Sequence, residues 1–202
     1  MAELAPKPLV AKSPLAAFPG LVKPVAFNGI ALEEVPHLTQ IGLRGNPANR
    51  TFTSGIKSVI DVALPTKGGL VNEKNGTAAL WLGPDEWLIL AEDKDPADLV
   101  EAMEAAIGDA HASVVDLSDN RKTLKLSGPN AWTVLNKVSP LDFHPRSWKR
   151  NMCAGSLCGT VQAFYWQRSA EPEFYILVRS SFAAYTATLL LDAMQEFRQE
   201  VS

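Results

Sequence analysis

Apolar runs of strand length alternate with stretches of helical spacing along most of the chain. Leu38 to Leu43 reads as a strand, and Gly45-Asn46-Pro47 offers a cap and a proline at the first helical position. That predicts a helix through about Ile60. Gly76 to Leu82 and Glu86 to Ala91 are strands joined by the turn residues Gly83-Pro84-Asp85. Asp95-Pro96 opens a second helix, in which Leu99, Val100, Met103 and Ile107 keep helical spacing and Gly108 supplies the stop. Strands at Ala112–Leu117 and Lys122–Leu126 follow. Ser127-Gly128-Pro129-Asn130 then turns into a helix over Ala131–Val138. Thr160–Trp166 and Phe174–Arg179 are two further strands. A last helix over about Phe182–Phe197 carries the stripe Phe182, Tyr185, Leu189, Leu190, Ala193, Met194 and Phe197.

The order repeats, and so do some of the letters. Leu43-Arg-Gly-Asn-Pro-Ala48 resembles Leu126-Ser-Gly-Pro-Asn-Ala131, and Trp87-Leu-Ile-Leu90 resembles Phe174-Tyr-Ile-Leu177. This predicts an α+β fold of duplicated β-α-β-β-α halves, close to a ferredoxin-like unit, over residues 28–110 and 111–202. Helices need cover only one face of each mostly antiparallel sheet, which leaves the other face free to pack.

Residues 1–27 are set apart as an extended N-terminal arm. Within it, Pro6, Pro8, Pro14, Pro19 and Pro24 fix φ and remove donors, so neither helix nor sheet suits Met1 to Pro24. Leu4, Leu9, Val10, Leu15, Phe18, Leu21 and Val22 are more apolar side chains than a solvated tail carries. The stretch reads either as a disordered tail or as an extended arm laid over a partner; the second is expected, with little contribution to the stability of the body.

Composition narrows the function. Apolar residues make up 47% and charged residues 20%, which places the chain in the globular class. A net charge of −3 gives no general attraction for nucleic acid or anionic membrane. No apolar run approaches the roughly 20 residues that span a bilayer, and prolines interrupt the N-terminus where a signal peptide needs a continuous apolar core. Two cysteines are too few for a disulfide framework. A cytoplasmic protein with reduced thiols is expected.

The search for chemistry comes up empty. There is no Gly-x-Gly-x-x-Gly after a strand, no phosphate loop and no Gly-x-Ser-x-Gly elbow. His37, His111 and His144 are scattered. Cys153 and Cys158 lack the spacing and the further ligands of a zinc site and read as small buried apolar residues. The acid pairs Glu33-Glu34, Asp85-Glu86 and Asp116 with Asp119 read as turn, cap and ion-pair residues. Arg146-Ser-Trp-Lys-Arg150 is the most basic spot and fits a protein contact, as do one or two of the tryptophans 81, 87, 132, 148 and 166. No catalytic, cofactor-binding or metal-ligating residue is expected on this chain.

Five segments carry a family resemblance. Ala79-Leu-Trp-Leu-Gly-Pro-Asp-Glu-Trp-Leu-Ile-Leu90 resembles the gamma subunit of heterotetrameric sarcosine oxidase. So does Asp116-Leu-Ser-Asp-Asn-Arg121 with Leu126-Ser-Gly-Pro-Asn-Ala131 and Pro140-Leu-Asp142, and so does Phe174 through Arg179 to Phe182. The resemblance spans roughly residues 30 to 197 and implies a duplicated fold similar to the folate-binding part of the T-protein of the glycine cleavage system. It implies a non-catalytic subunit in a complex with alpha, beta and delta subunits, alpha most directly. That complex oxidatively demethylates sarcosine to glycine, reduces oxygen to hydrogen peroxide and, with tetrahydrofolate, gives methylene-tetrahydrofolate. The resemblance also places FAD, FMN, NAD, tetrahydrofolate and zinc on the other subunits. The other reading of the sequence is a free-standing folate- or aminomethyl-binding protein of the T-protein type, and a third is a pure assembly factor.

Overall fold

The computed structural model describes residues 13–16 and 25–198. The end of the arm forms strand β1 (Val25–Phe27), and the first half contains strands β2 (Ile30–Glu34) and β3 (Thr39–Gly45), helix α1 (Arg50–Ile60), strands β4 (Val71–Lys74), β5 (Thr77–Gly83) and β6 (Glu86–Ala91), and helix α2 (Pro96–Ile107). The second half contains β7 (Ala112–Asp116), β8 (Arg121–Ser127), α3 (Ala131–Val138), β9 (Cys153–Cys158), β10 (Val161–Ser169), β11 (Glu173–Arg179) and α4 (Ala183–Ala193). A 3-10 turn lies on either side of α4.

Two antiparallel sheets form. The first has the order β4-β5-β6-β3-β7 and the second β1-β2-β8-β11-β10-β9. Each sheet is covered by helices on one face and by the other sheet on its second face. Trp87, Ile89 and Ala91 of β6 face α1 and α2, whereas Leu88 and Leu90 point into the layer between the sheets. In β11, Phe174, Ile176 and Val178 face the helix side, and Tyr175 and Leu177 point between the sheets. Burial on both faces is why these strands are continuous apolar runs rather than alternating ones.

The duplication is visible in the register. Leu43 pairs with Trp87 as Leu126 pairs with Phe174, and Ala79 pairs with Ile89 as Tyr165 pairs with Ile176. Val71 pairs with Leu80 as Cys153 pairs with Trp166. The hydrogen bond from Gly45 N–H to the Asp85 carbonyl recurs as Gly128 N–H to the Pro172 carbonyl, at 3.0 and 2.9 Å. A β-bulge interrupts β5 between Trp81 and Gly83, and its counterpart interrupts β10 between Gln167 and Ser169. The leading strands cross over: β2 pairs with β8 in the second sheet, and β7 pairs with β3 in the first.

Several local expectations are corrected. Pro47 does not open α1. The Asn46 side chain accepts from Ala48 N at 2.9 Å and forms a turn, so Asn49 becomes the cap and accepts from Phe52 N at 3.2 Å. Each half also holds a strand that the pattern does not reveal, β4 or β9, between its first helix and its hairpin. The last helix turns a different face inward. Ala183, Thr186, Ala187, Leu190 and Met194 are buried, while Phe182 and Tyr185 are 43% and 41% exposed. Small side chains let the helix backbone approach the sheet closely, so the larger apolar residues end up outside.

Of the arm's apolar residues, Leu4, Leu9, Val10, Phe18, Leu21 and Val22 lie outside the described residues. Leu15 is described and is fully buried in the core between the second sheet and its helices. At this position the expectation that the arm adds little to the body is overturned. A leucine beside Ile30 and Leu32 removes apolar surface of its own chain from water.

Candidate functional site

The structure keeps the sequence candidates apart. His37, His111 and His144 are all exposed and lie in three different connections. His144 packs edge-on to Trp132 at 5.7 Å, and its Nδ1 accepts from Arg146 N at 3.2 Å. Cys153 and Cys158 sit at opposite ends of β9 and on opposite faces of the second sheet, so they cannot share one metal ion. Burial pushes the Cys153 thiol up to about 12 and raises the Cys158 thiol as well. No group of three metal-ligating side chains occurs among the described residues.

Four of the six candidate carboxylates have structural partners. Glu33 pairs with Lys125, Glu34 accepts from Ser13 at 2.5 Å, and Glu86 pairs with Arg44 at 2.7 Å. Asp116 accepts from both the amide and the hydroxyl of Ser118, at 2.9 and 2.6 Å, and Ser118 Oγ in turn accepts from Gln40 N at 3.1 Å. The Asp116-Leu-Ser-Asp-Asn-Arg121 segment is thus the crossing from the first sheet to the second, pinned by a buried serine.

The basic segment is less basic in space than in sequence. Trp148 is buried against Phe143 and Phe174, and Arg146 is drawn to Asp142 at 3.5 Å. Lys149 and Arg150 rim a cleft of about 350 Å³ with Trp132, Phe143 and Trp148. Trp87 is fully buried and donates its ring N–H to the Pro65 carbonyl at 2.8 Å; Trp166 is also buried. Trp81 and Trp132 keep partial exposure.

A dinucleotide would need a glycine-rich turn that lets phosphate approach a helix N-terminus. The turn into α1 does not offer one: a Cβ at Gly45 would fall 2.6 Å from the Phe52 ring, so this glycine makes room for an aromatic side chain. The donor set does not fit zinc either, for the reason given by β9.

The most concentrated polar cluster was missed from sequence. Arg168 is the extra residue of the β10 bulge and reaches between the sheets. Its Nε bonds Glu73 at 2.7 Å, Nη2 pairs with Glu92 at 2.9 Å, and Nη1 donates to the Tyr175 hydroxyl at 2.6 Å. The guanidinium also lies over the rings of Trp166 and Tyr175, at 5.6 and 5.2 Å. Burial works against its charge, but Tyr175 and Glu73 outweigh that and hold its pKa above the ordinary arginine value. The cluster ties one sheet to the other and leaves no room for a ligand. Its only trace in the sequence is that Arg168 falls where the repeat places Leu82.

Comparison with known proteins gives a consistent answer. The model of the sarcosine oxidase, gamma subunit family matches residues 44–196. Sarcosine oxidase subunit gamma from Corynebacterium sp. strain P-1 is 40% identical over 172 residues, 85% of this chain and 83% of that protein. The Arthrobacter subunit gamma is 36% identical over 84% of this chain and 82% of its own length. Among solved structures, heterotetrameric sarcosine oxidase from Corynebacterium sp. U-96 contains a chain that superposes with a TM-score of 0.83 at 38% identity, covering 95% of this chain and 99% of that one. Aminomethyltransferase T of the glycine cleavage system from Bartonella henselae shares the fold, with a TM-score of 0.57 at 16% identity over 82% of this chain and 46% of that one.

Proposed function

The chain belongs to the sarcosine oxidase gamma subunit family, and on that premise we propose that it supports a heterotetrameric sarcosine oxidase as a subunit with no catalytic residues of its own. The observation that carries this reading is the dispersal of its chemistry. The histidines lie in three separate exposed connections, the two thiols lie on opposite faces of the second sheet, and Glu33, Glu73, Glu86 and Asp116 are engaged in turns and ion pairs. General acid-base or nucleophilic work needs such groups convergent on one pocket.

In this reading the partners are alpha, beta and delta subunits, with alpha in most direct contact. FAD, FMN, NAD, tetrahydrofolate and zinc belong to those subunits. The assembly takes sarcosine to glycine, reduces oxygen to hydrogen peroxide and delivers the methyl carbon to tetrahydrofolate, and it works in the cytoplasm. No helix among the described residues is long and apolar enough to cross a membrane.

The test is co-expression of the four subunits with and without this chain. The expected result is a stoichiometric complex only when it is present, with the flavin bands following the other subunits. Sarcosine oxidation by the isolated chain would sink the proposal. Tetrahydrofolate binding by the isolated chain would favour a free-standing folate protein instead.

A further inference from the structure

The internal repeat relates two clefts residue by residue. Around Arg168 the first sheet contributes Leu38, Glu73, Gly76, Ala78, Leu90 and Glu92. The strand registers place Arg121, Gly155, Gln162, Phe164, Leu177 and Arg179 at the corresponding positions of the second sheet, and these line a second cleft. The two differ in what fills them. Around Arg168 only about 10 Å³ is free. The repeat makes Leu82 the counterpart of Arg168, but Leu82 is not among the residues that line the second cleft, and about 370 Å³ is open there.

The charge is inverted as well. Glu73 and Glu92, which clasp the arginine, become Gly155 and Arg179, and Leu38 becomes Arg121. Among the described residues neither Arg121 nor Arg179 forms an ion pair. We propose that this cleft binds a carboxylate, held between the Arg121 and Arg179 guanidiniums as Arg168 is held between Glu73 and Glu92.

Guanidinium groups offer planar forks that match a carboxylate. Burial and the neighbouring charge of Arg179 lower the pKa of Arg121 more than Glu86 raises it, so an anion between the two guanidiniums relieves a remaining repulsion. Phe164, Leu177 and Leu157 give the cleft an apolar wall, which suits an organic acid better than a bare inorganic anion. The volume suits a small acid or the end of an acidic side chain. A free acid would stand apart from the assembly role, whereas an acidic side chain from a partner rests on the assembly role proposed above.

Two sources of the carboxylate are separable with the full-length chain. Isothermal titration with glutarate reads a free acid, and the dissociation rate of the complex with its partner subunits reads an acidic side chain from a partner. Two variants are compared in both assays. Arg121→Gln with Arg179→Gln removes both cations, and Arg179→Gln alone removes the exposed one. If the ligand is free, glutarate binds the isolated chain and both variants weaken it by about tenfold or more. If it comes from a partner, glutarate does not bind and both variants speed dissociation of the complex by about tenfold or more. Variants with unchanged melting temperatures and no change in either readout overturn the proposal. Arg179→Gln, at an exposed side chain, keeps the test decisive should the double arginine variant fail to fold.

Discussion

Leu70 and Met152 face each other across an antiparallel bridge that joins the edge of the first sheet to the edge of the second, and the repeat makes them counterparts. The flanking hydrogen bonds exchange under the same relation: Val71 N–H donates to the Asn151 carbonyl at 2.9 Å, and Cys153 N–H to the Gly69 carbonyl at 2.8 Å. A second symmetric pair lies where the chain crosses between sheets, from Val35 N–H to the Thr123 carbonyl at 2.9 Å and from Leu117 N–H to the Gln40 carbonyl at 2.7 Å. The halves are therefore stitched together through backbone groups as well as through apolar contact.

That stitching sets a hydrogen-exchange pattern. Amides on sheet edges usually exchange through local opening. Val71 and Cys153 are both buried and bonded across the junction. Their amides are expected to exchange only on global unfolding, with protection free energies within about 1 kcal/mol of each other. A large difference between them would mean that the halves open separately.

Glycine substitutions should separate close approach from simple propensity. At Gly55 in α1 a Cβ would lie 2.5 Å from the Ala106 carbonyl oxygen of α2. Alanine gains about 1 kcal/mol of helix propensity there, but the backbone of a second helix cannot step aside, and overpacking of about 1–3 kcal/mol outweighs the gain. At Gly128, φ is +113° and a Cβ would lie 2.6 Å from the Gly29 carbonyl oxygen, so valine should cost about 1–3 kcal/mol or more. Gly83→Ala, where the nearest atom is 3.6 Å away, is the control and should change stability by less than about 0.5 kcal/mol. Urea midpoints of the three variants check the order.

Arg168→Leu should destabilise the chain more than loss of a surface ion pair would. The Glu73 side chain is 16% exposed and the Arg168 side chain 24%, so removing the cation leaves a largely buried carboxylate facing apolar neighbours. A cost of about 2–4 kcal/mol is expected, below the full value for a buried pair because water reaches part of the cluster. Combining it with Glu73→Gln should recover a measurable part. A double variant as unstable as the sum of the single ones would show that the pair is not coupled.

Part of this architecture could be read from the sequence, and part of it could not. Trp87 to Ala91 and Phe174 to Val178 were legible because burial on both faces leaves no polar interruption. Val71-Asn-Glu-Lys74 and Cys153-Ala-Gly-Ser-Leu-Cys158 were not, because the one is a polar edge strand and the other is built from small residues. In α4 the size of Phe182 and Tyr185 points to the wrong face, since close packing selects alanine and threonine. The two charged clefts were hidden for a different reason. One depends on the bulge residue Arg168, the other on Arg121 and Arg179 meeting as cross-strand partners, and both directions follow from register rather than from any local pattern.

The cysteines should be inert in the folded protein. With the Cys153 thiol pushed up to about 12, the thiolate fraction at pH 8 is on the order of one in ten thousand. Native chain should resist a thiol reagent at pH 8, and unfolded chain should take up two equivalents, one at each of its free cysteines. The sign for stability follows from the same shift. The folded pKa lies above the ordinary value of 9.0, so the contribution is complete below about pH 9 and is lost as pH rises toward 12. Rapid labelling of the native chain would mean that β9 opens far more often than the core.

The arm offers the sharpest separation of folding from assembly. Leu15 is fully buried, its amide donates to Ser13 Oγ at 3.0 Å, and Ser13 Oγ donates to Glu34 Oε1 at 2.5 Å. This short segment is part of the body. Removing residues 2–20 should therefore lower stability by about 1.5–3 kcal/mol through the exposed apolar surface alone. Leu15→Ala in the full chain should cost about 2–5 kcal/mol, since it leaves a cavity under a backbone that stays in place. Removing residues 2–12 spares Leu15 and Ser13 and should leave the melting temperature unchanged. If the rest of the arm lies on a partner, that shorter deletion should still weaken association with the alpha-type subunit, measured as complex yield and dissociation rate. Equal association by the shorter deletion would confine the arm's role to Leu15. An unchanged melting temperature on removal of residues 2–20 would show that the packing of Leu15 does not stabilise the body.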